Sequence, residues 1–413
     1  MAATTSATKS YDYKARDQAG KVVKGRIDAA NENQVLARLR SMGVSPISVT
    51  EGGSGTGLNK EINIAFLQKG VGLDDLAVMS RQMSTMISSG LSLIRALVIL
   101  SEQTENPTLA KALSQIRVEV ETGGTLSDAF AKHGTVFPPI MIHLVRAGET
   151  GGFLDNALES IANNFESEVK LRGTIKSALT YPVVVLIMAI AAVVGMLLFI
   201  VPVFEQMFAD LGGELPLLTQ MLVWASSAMK FIAPVLVVGG IAFSVWWGKN
   251  KHTERVRKFV DPWKLRMPVF GPLFRKVSIS RFTRNFGTML GAGVPILQAL
   301  SIVGETSGNY VIEEALRRVA DSVRQGQSVS GPLMREPVFP SMVTQMVSVG
   351  EDSGSMEVML SKIADFYDDE VLKTTEQLTA LIEPLMIGVI GAIVGVMVIA
   401  LYMPIFAIFD QIK

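Results

Sequence analysis

The chain has 413 residues, a formal net charge of zero and no cysteine. Apolar residues make up 49% of it and charged residues only 18%, fewer than the roughly one quarter that is usual in soluble proteins. This indicates a membrane protein with sizeable soluble parts, in two or three folding units. Because there is no cysteine, thiolate catalysis, disulfides and Cys-ligated zinc are excluded. The chain also has no net positive charge that would indicate a nucleic-acid-binding protein.

The N-terminal stretch predicts a small ββαβ module with a Gly-rich linker, together covering residues 1–57. Alternating residues on both sides of Gly20 indicate a hairpin. The segment NENQVLARLRSMG has an Asn cap and a Gly stop, which predicts a helix, and ISVT predicts a closing strand. No apolar run of signal-peptide length precedes the module, so we expect this end of the chain in the cytoplasm.

Two later regions, 73–177 and 279–380, each predict a compact bundle of about six helices. Leu76, Met79 and Met83 recur at helical spacing, which predicts an apolar stripe. In each copy a helix that opens at a Phe-Pro pair is expected to close at a Gly-Glu turn, and the last helix leads toward the membrane. The predicted class is therefore mainly α.

Three apolar stretches are long enough to cross a bilayer. Lysine and arginine cluster before the first stretch and after the second, whereas the loop between them is acidic. By the positive-inside rule, the N-terminus and both bundles face the cytoplasm and the C-terminus faces outward. The predicted segments are a first span at 178–208, an external loop at 209–223, a second span at 224–248, a basic cytoplasmic linker at 249–278, a third span at 381–409 and an external tail at 410–413.

The region from about 76 to 208 is repeated from about 279 to 410. RQMSTMISSGLSLIRAL parallels RNFGTMLGAGVPILQAL at an offset of 203, from position 81 to position 284. FPPIMIHLVRAGE parallels FPSMVTQMVSVGE at an offset of 202, from position 137 to position 339, and this offset persists into the membrane. Pro182 therefore matches Pro384, and Pro202 matches Pro404. Because proline removes a backbone donor, we expect each span to bend where it meets the bilayer and where it leaves it.

The repeat singles out several residues as structural or partner-binding candidates. Both copies keep a carboxylate, Glu149 and Glu351, which could bind a cation or a basic patch on a partner. The alternative is a carboxylate near the start of the following helix, where the helix dipole favours it. The glycines that accompany these carboxylates in the two copies are Gly148, Gly152, Gly350 and Gly354.

Two further patterns concern packing and charge. Gly388, Gly391 and Gly395 form a small-residue stripe in the third span, which predicts close packing against another span or another protomer. An acidic cluster at 365–370 is interpreted as a solvated helix face, with a docking surface as the alternative.

The sequence offers no pattern typical of catalysis. It lacks the G-x-x-x-x-G-K-[ST] phosphate loop, and its three histidines lack metal-site spacing. The uncharged cores of the spans, residues 179–203, 231–247 and 385–409, carry no Asp, Glu or His, which argues against intramembrane proteases, proton relays and charged transport sites. We expect no catalytic residue, no cofactor and no metal site beyond the weak candidates Glu149 and Glu351. A channel or transporter component and a membrane enzyme remain alternatives.

With the module YKARDQAGKVVKGRIDA, the duplicated FP…GE units and three spans, the chain resembles the type II secretion system F family. These are the PilC- and GspF-like inner-membrane platform proteins of type IV pili and type II secretion. The resemblance implies a non-enzymatic scaffold in the bacterial inner membrane. It also implies as partners a cytoplasmic hexameric assembly or retraction ATPase, pilin or pseudopilin, other inner-membrane assembly proteins, and further copies of the chain, with no nucleic acid.

Overall fold

The computed structural model describes residues 9–16, 22–29, 31–51, 70–210, 216–251 and 253–411. The chain divides into two compact units, Met1–Gln68 and Lys69–Lys413. The predicted Gly-rich linker lies outside the described residues, as do residues 211–215 of the predicted loop and the last two residues of the predicted tail.

The N-terminal unit has the predicted element order. Its elements are β1 (Lys9–Arg16), β2 (Val22–Ala29), α1 (Glu32–Ser41) and β3 (Ser45–Glu51). The strands form a sheet of order β2-β1-β3, and both pairs are antiparallel. The helix is capped by Asn31, whose side-chain oxygen accepts from the Gln34 amide at 3.0 Å. Val35 and Leu39 on the helix are buried against Tyr11 of the sheet.

The first copy of the repeat folds as six helices, as predicted. They are α2 (Leu73–Ser88), α3 (Leu93–Gln103), α4 (Pro107–Glu121), α5 (Leu126–Lys132), α6 (Pro139–Gly151) and α7 (Leu154–Gly195). Local chemistry sets several boundaries. Asn106 caps α4 by accepting from the amides of Thr108 and Leu109. Gly90, with φ of 85°, follows the end of α2; glycine has no Cβ and can therefore adopt the left-handed conformation that ends a helix.

A membrane region follows. The helix α7 continues through a π-helical turn (Met196–Ile200) into α8 (Val201–Asp210), and then come α9 (Leu217–Asn250) and α10 (Glu254–Arg266). The second long helix begins at 217, seven residues before the predicted second span, and the predicted basic segment contains the regular helix α10. The membrane boundaries of the spans stay a prediction.

The second copy again has six helices. They are α11 (Gly271–Gly291), α12 (Ile296–Thr306), α13 (Tyr310–Arg324), α14 (Ser330–Met334), α15 (Ser341–Asp352) and α16 (Met356–Gln411). Large buried side chains of both copies belong to one continuous apolar core, among them Phe130, Phe137, Phe282 and Phe286. The two copies are therefore packed together rather than separated by a linker.

Among the described residues, three helical stretches are long and apolar enough to cross a membrane: Leu154–Met207, Leu217–Asn250 and Met356–Met403. They meet around Leu197, Val201, Met397 and Leu401, which are buried together. Neither Pro182 nor Pro384 interrupts its helix. At 1.5 Å per residue, the 56-residue α16 is about 84 Å long, so one unbroken helix joins each bundle to a span.

Candidate functional site

Glu149 binds the N-terminus of a neighbouring helix. Its two carboxylate oxygens accept from the backbone amides of Leu126 at 2.5 Å and Ser127 at 3.0 Å, the first residues of α5. The expectation that it lies near the start of the following helix was wrong, because α6 continues through Gly148 and Glu149 to Gly151. A carboxylate at an N-terminus satisfies amides that have no partner within the helix and interacts favourably with the dipole.

The second copy repeats this arrangement. Glu351 accepts from the amides of Val329 at 2.6 Å and Ser330 at 3.0 Å, and α15 runs past it to Asp352. Burial acts to raise the pKa of Glu351, but the hydrogen bonds from Ser330 and Val329 outweigh it and hold the pKa below its ordinary value. Across the described parts of the chain, no group of three or more acidic, His or Cys side chains could hold a metal.

The glycines around these carboxylates have packing roles. A Cβ built on Gly148 would lie 2.6 Å from the Cβ of Ala157, and one on Gly350 would lie 3.0 Å from the Cα of Met356. Gly152 and Gly354 have φ angles of 76° and 68°, which non-glycine residues rarely adopt. Each set lets one helix end and the next long helix begin in close contact. A partner-binding role for them stays a prediction.

An arginine clamp also occurs twice. Arg81 on α2 contacts Glu166 and Asn163 of α7, each at 2.6 Å. At the equivalent place, Arg284 on α11 contacts Asp368 at 2.6 Å and Asp365 at 3.1 Å, both on α16. The hydrogen bond from Arg81 lowers the pKa of Glu166.

The predicted solvated face at 365–370 is only partly correct: Asp365 and Asp369 are exposed, whereas Asp368 and Glu370 are half-buried. Asp365 and Asp368 bind Arg284, and Glu370 binds Lys276 at 2.9 Å. These carboxylates hold the long helix α16 against α11.

The two copies contact each other through polar side chains that the sequence analysis did not single out. Asn164 of α7 donates to the side-chain oxygen of Asn285 of α11 at 2.9 Å, and both are buried. Nearby, Arg281 forms an ion pair with Glu168 at 2.7 Å. An open cleft of about 250 Å³ lies beside this contact, and it is lined by polar and charged side chains and two glycines, without His or Cys.

In the membrane region, two hydroxyls of α9 bind backbone carbonyls of the other spans. Ser226 donates to the carbonyl of Leu197 at 2.6 Å. The amide of Val201 bonds to Met196 in the π register. The next bond in that register would join residue 202 to Leu197, but Pro202 has no N–H. The serine hydroxyl therefore satisfies a carbonyl that proline leaves free.

The same relationship occurs in the third span. Thr219 donates to the carbonyl of Ala400 at 2.6 Å. In an α-helix that carbonyl would accept from residue 404, which is Pro404 and has no N–H. Prolines at matching places in the repeat and hydroxyls in the intervening span were signals in the sequence. What could not be read there is which helices come together.

The glycine stripe of the third span does not pack against any of the described residues of the other spans. A Cβ built on Gly388, Gly391 or Gly395 meets nothing within 4 Å among the residues that the structure describes. Packing against a second protomer stays a prediction.

Comparison with known proteins gives a consistent result over the whole chain. Residues 79–202 and 282–404 match the model of type II secretion system (T2SS) protein F, and residues 1–50 match its N-terminal domain. The chain is 42% identical over 409 residues to a type IV pilus assembly protein PilC of Myxococcus xanthus, covering 98% of this chain and 97% of that protein. It is 42% identical to the PilC of Thermus thermophilus (98% and 99% covered), and 32% identical to a type II secretion system protein F of Xanthomonas campestris (97% and 99% covered). The two family matches coincide with the two six-helix copies and their spans.

Proposed function

The chain belongs to the type II secretion system protein F family, and on this premise we propose that it couples a cytoplasmic assembly ATPase to pilin or pseudopilin in the membrane. Family and relatives identify an inner-membrane protein of a type IV pilus or type II secretion machinery. They point to a structural platform protein rather than an enzyme. In the proposal, nucleotide hydrolysis belongs to the separate motor, and this chain transmits its movement.

The continuity of two helices carries the proposal. α7 and α16 each begin inside a packed bundle and continue as a membrane-crossing segment without a break. A helix resists bending because every turn is closed by backbone hydrogen bonds. A displacement of either bundle is therefore transmitted along the helix to the membrane.

The bundles are held to these helices at several points. The arginine clamps fix α2 to α7 and α11 to α16, and the buried Asn164–Asn285 contact joins the two copies. The glutamate caps tie each short helix to the helix that precedes the long one. Movement of one part of the cytoplasmic region thus carries the rest with it.

The proposed orientation rests on the distribution of basic residues. Lys170, Arg172 and Lys176 precede the first span, and Lys249 and Lys251 follow the second. Basic residues stay on the cytoplasmic side, which puts both bundles within reach of a cytoplasmic motor. The C-terminus then lies outside.

A channel or transporter is less well supported. A transport path needs polar groups that face a cavity in the membrane. The two buried hydroxyls described in α9 are instead occupied by the carbonyls of Leu197 and Ala400. Solute flux through vesicles that contain only this chain would favour the channel.

Co-purification tests the proposal. The detergent-solubilised full chain should retain the assembly ATPase and pilin encoded with it, and the ATPase should remain bound when pilin is absent. A charge-reversal variant on the exposed surface of either bundle that loses the ATPase while keeping pilin would identify the motor side. Failure to retain either protein would contradict the proposal.

A further inference from the structure

The helix α10 exposes two large aromatic side chains. Phe259 and Trp263 are 75% and 69% exposed, and they lie four residues apart, so they occupy the same face of the helix. Monomeric soluble proteins seldom leave such a pair in water. The sequence predicted only a basic linker here, because the many charges hide the helical pattern.

The position of α10 places this face close to the membrane. α9 is a candidate span that ends at Asn250, and α10 begins at Glu254, so three residues separate them. Trp246 and Trp247 lie in the last turn of α9, and tryptophan is enriched at the level of the lipid headgroups. Three residues span at most about 10 Å, so α10 starts at the membrane surface.

Unpaired basic residues accompany the aromatic pair. Arg255, Lys258 and Arg266 are exposed and form no ion pair with any part of the chain that the structure describes. At 100° per residue, Arg255 and Arg266 flank the aromatic pair on one side and Lys258 lies beyond them. Such a helix, with an aromatic stripe bordered by cations, is typical of one that lies in the plane of a membrane interface.

The opposite face of α10 is fixed to the second bundle. The buried carboxylate of Asp261 accepts from the Tyr310 amide at 2.9 Å and from Lys264 at 2.8 Å. Arg257 forms an ion pair with Glu313 at 2.8 Å. Both contacts reach α13, so α10 cannot rotate to bury its aromatic pair without breaking them.

We propose that α10 is an interfacial helix that anchors the second bundle to anionic phospholipids. Phe259 and Trp263 insert at the boundary between headgroups and acyl chains, and Arg255, Lys258 and Arg266 bind lipid phosphates. Continuity with the span selects a bilayer rather than a protein as the occupant, and the unpaired positive charge selects anionic lipid. The assignment to the cytoplasmic leaflet rests on the proposed orientation. The consequence is that the second bundle has a fixed height above the membrane.

Because the chain has no cysteine, single labels can be introduced without background. Full-length Phe259→Cys and Trp263→Cys variants carry a nitroxide label and are reconstituted into vesicles of phosphatidylcholine with phosphatidylglycerol. Val118→Cys, an exposed position on α4, is the aqueous control. Collision rates with oxygen and with a water-soluble nickel chelate report depth. Oxygen collisions should dominate at 259 and 263 and chelate collisions at 118. Chelate collisions that dominate at all three positions overturn the proposal.

A second comparison tests the lipid charge. With the label at position 263, insertion should be shallower in pure phosphatidylcholine than in the anionic mixture. An Arg255→Gln, Lys258→Gln and Arg266→Gln triple variant should lose this difference. If the labelled protein without the triple substitution inserts to the same depth in both lipids, the assignment of anionic phospholipid is overturned. The measurement needs neither ATPase nor pilin, so its failure is distinct from failure of the proposed coupling function.

Discussion

Thr219 and Ser226 lie seven residues apart on α9, which is two helical turns, and each binds a carbonyl of a different duplicated span. One hydroxyl serves the third span at Ala400 and the other serves the first span at Leu197. The second span, which lies outside the repeat, is thus fastened to both copies at the places where their matching prolines leave a carbonyl free.

Removing either hydroxyl should loosen the three spans. We expect Thr219→Val and Ser226→Ala each to destabilise the membrane region by about 0.6–1.7 kcal/mol, the range for hydrogen bonds between membrane helices. Thermal unfolding in detergent measures this. Ser227→Ala is the matched control, because Ser227 is exposed on the same helix.

Pro404→Ala adds a specific check on this reasoning. It restores the N–H that can bond to the carbonyl of Ala400, so Thr219→Val should cost less in that background than in the unaltered chain. Equal costs in the two backgrounds would show that the threonine does not compensate for the proline.

The cap formed by Glu351 predicts a pH dependence. Its pKa is lower in the folded chain than its ordinary value of 4.5. The ionised form therefore contributes stability that is complete above that value and is lost as the pH falls through the lower, folded-state pKa. Glu351→Gln should cost about 1.5–3 kcal/mol at pH 7, as for a hydrogen bond to a charged group, and should reduce the loss of stability on acidification. Thermal unfolding between pH 7 and pH 3 measures both effects.

The neighbouring Asp352→Asn variant is the control for this series, since Asp352 is exposed. A loss of stability as large as that of Glu351→Gln would mean that local charge, and not the cap, is responsible.

Two glycines of the first copy should respond in opposite directions to alanine. Gly148→Ala puts a methyl group against Ala157 and should cost about 1–3 kcal/mol through overpacking. Gly173→Ala lies within α7 with nothing near the added carbon, so it should stabilise the chain by about 0.5–1 kcal/mol. Unfolding temperatures of the two variants check the contrast, which would be absent if Gly148 were only a flexible site.

The buried contact between the copies should be sensitive to truncation. Asn164→Ala leaves the side-chain oxygen of Asn285 without its 2.9 Å donor, which costs about 1–3 kcal/mol when the group stays buried. Asn156→Ala, at an exposed position on the same helix, should be nearly neutral. Similar unfolding temperatures for the two variants would show that the contact does not hold the copies together.

Much of this fold follows from periodic signals in the chain. Apolar stripes, the Asn106 cap and glycine stops predict the six helices of each copy, and uncharged length predicts the spans. These signals are local, so they can be recognised from residues that are neighbours in the sequence. The repeat strengthens the prediction, because the same pattern of helices and spans occurs in a second segment of the chain.

The roles of individual side chains were harder to predict. Glu149 lies in the last turn of one helix and caps another helix 22 residues earlier, a partner that only the folded bundle brings close. The Asn164–Asn285 contact joins residues 121 positions apart. Helix α10 was hidden because charged residues surround its aromatic pair, which stays exposed among the residues that the structure describes. Tertiary proximity, rather than local pattern, decides the first two.

In the proposed function, an unbroken helix carries movement from the bundles to the membrane. Several glycines inserted between Arg172 and Gly173 would interrupt α7 before the first span without altering the bundle surface. The same insertion within residues 52–57, the Gly-rich stretch behind the N-terminal module, is the control. Pilus assembly or secretion should be abolished by the first insertion and retained with the second, while both variants still bind the ATPase. Normal assembly with glycines at position 172 would contradict the account.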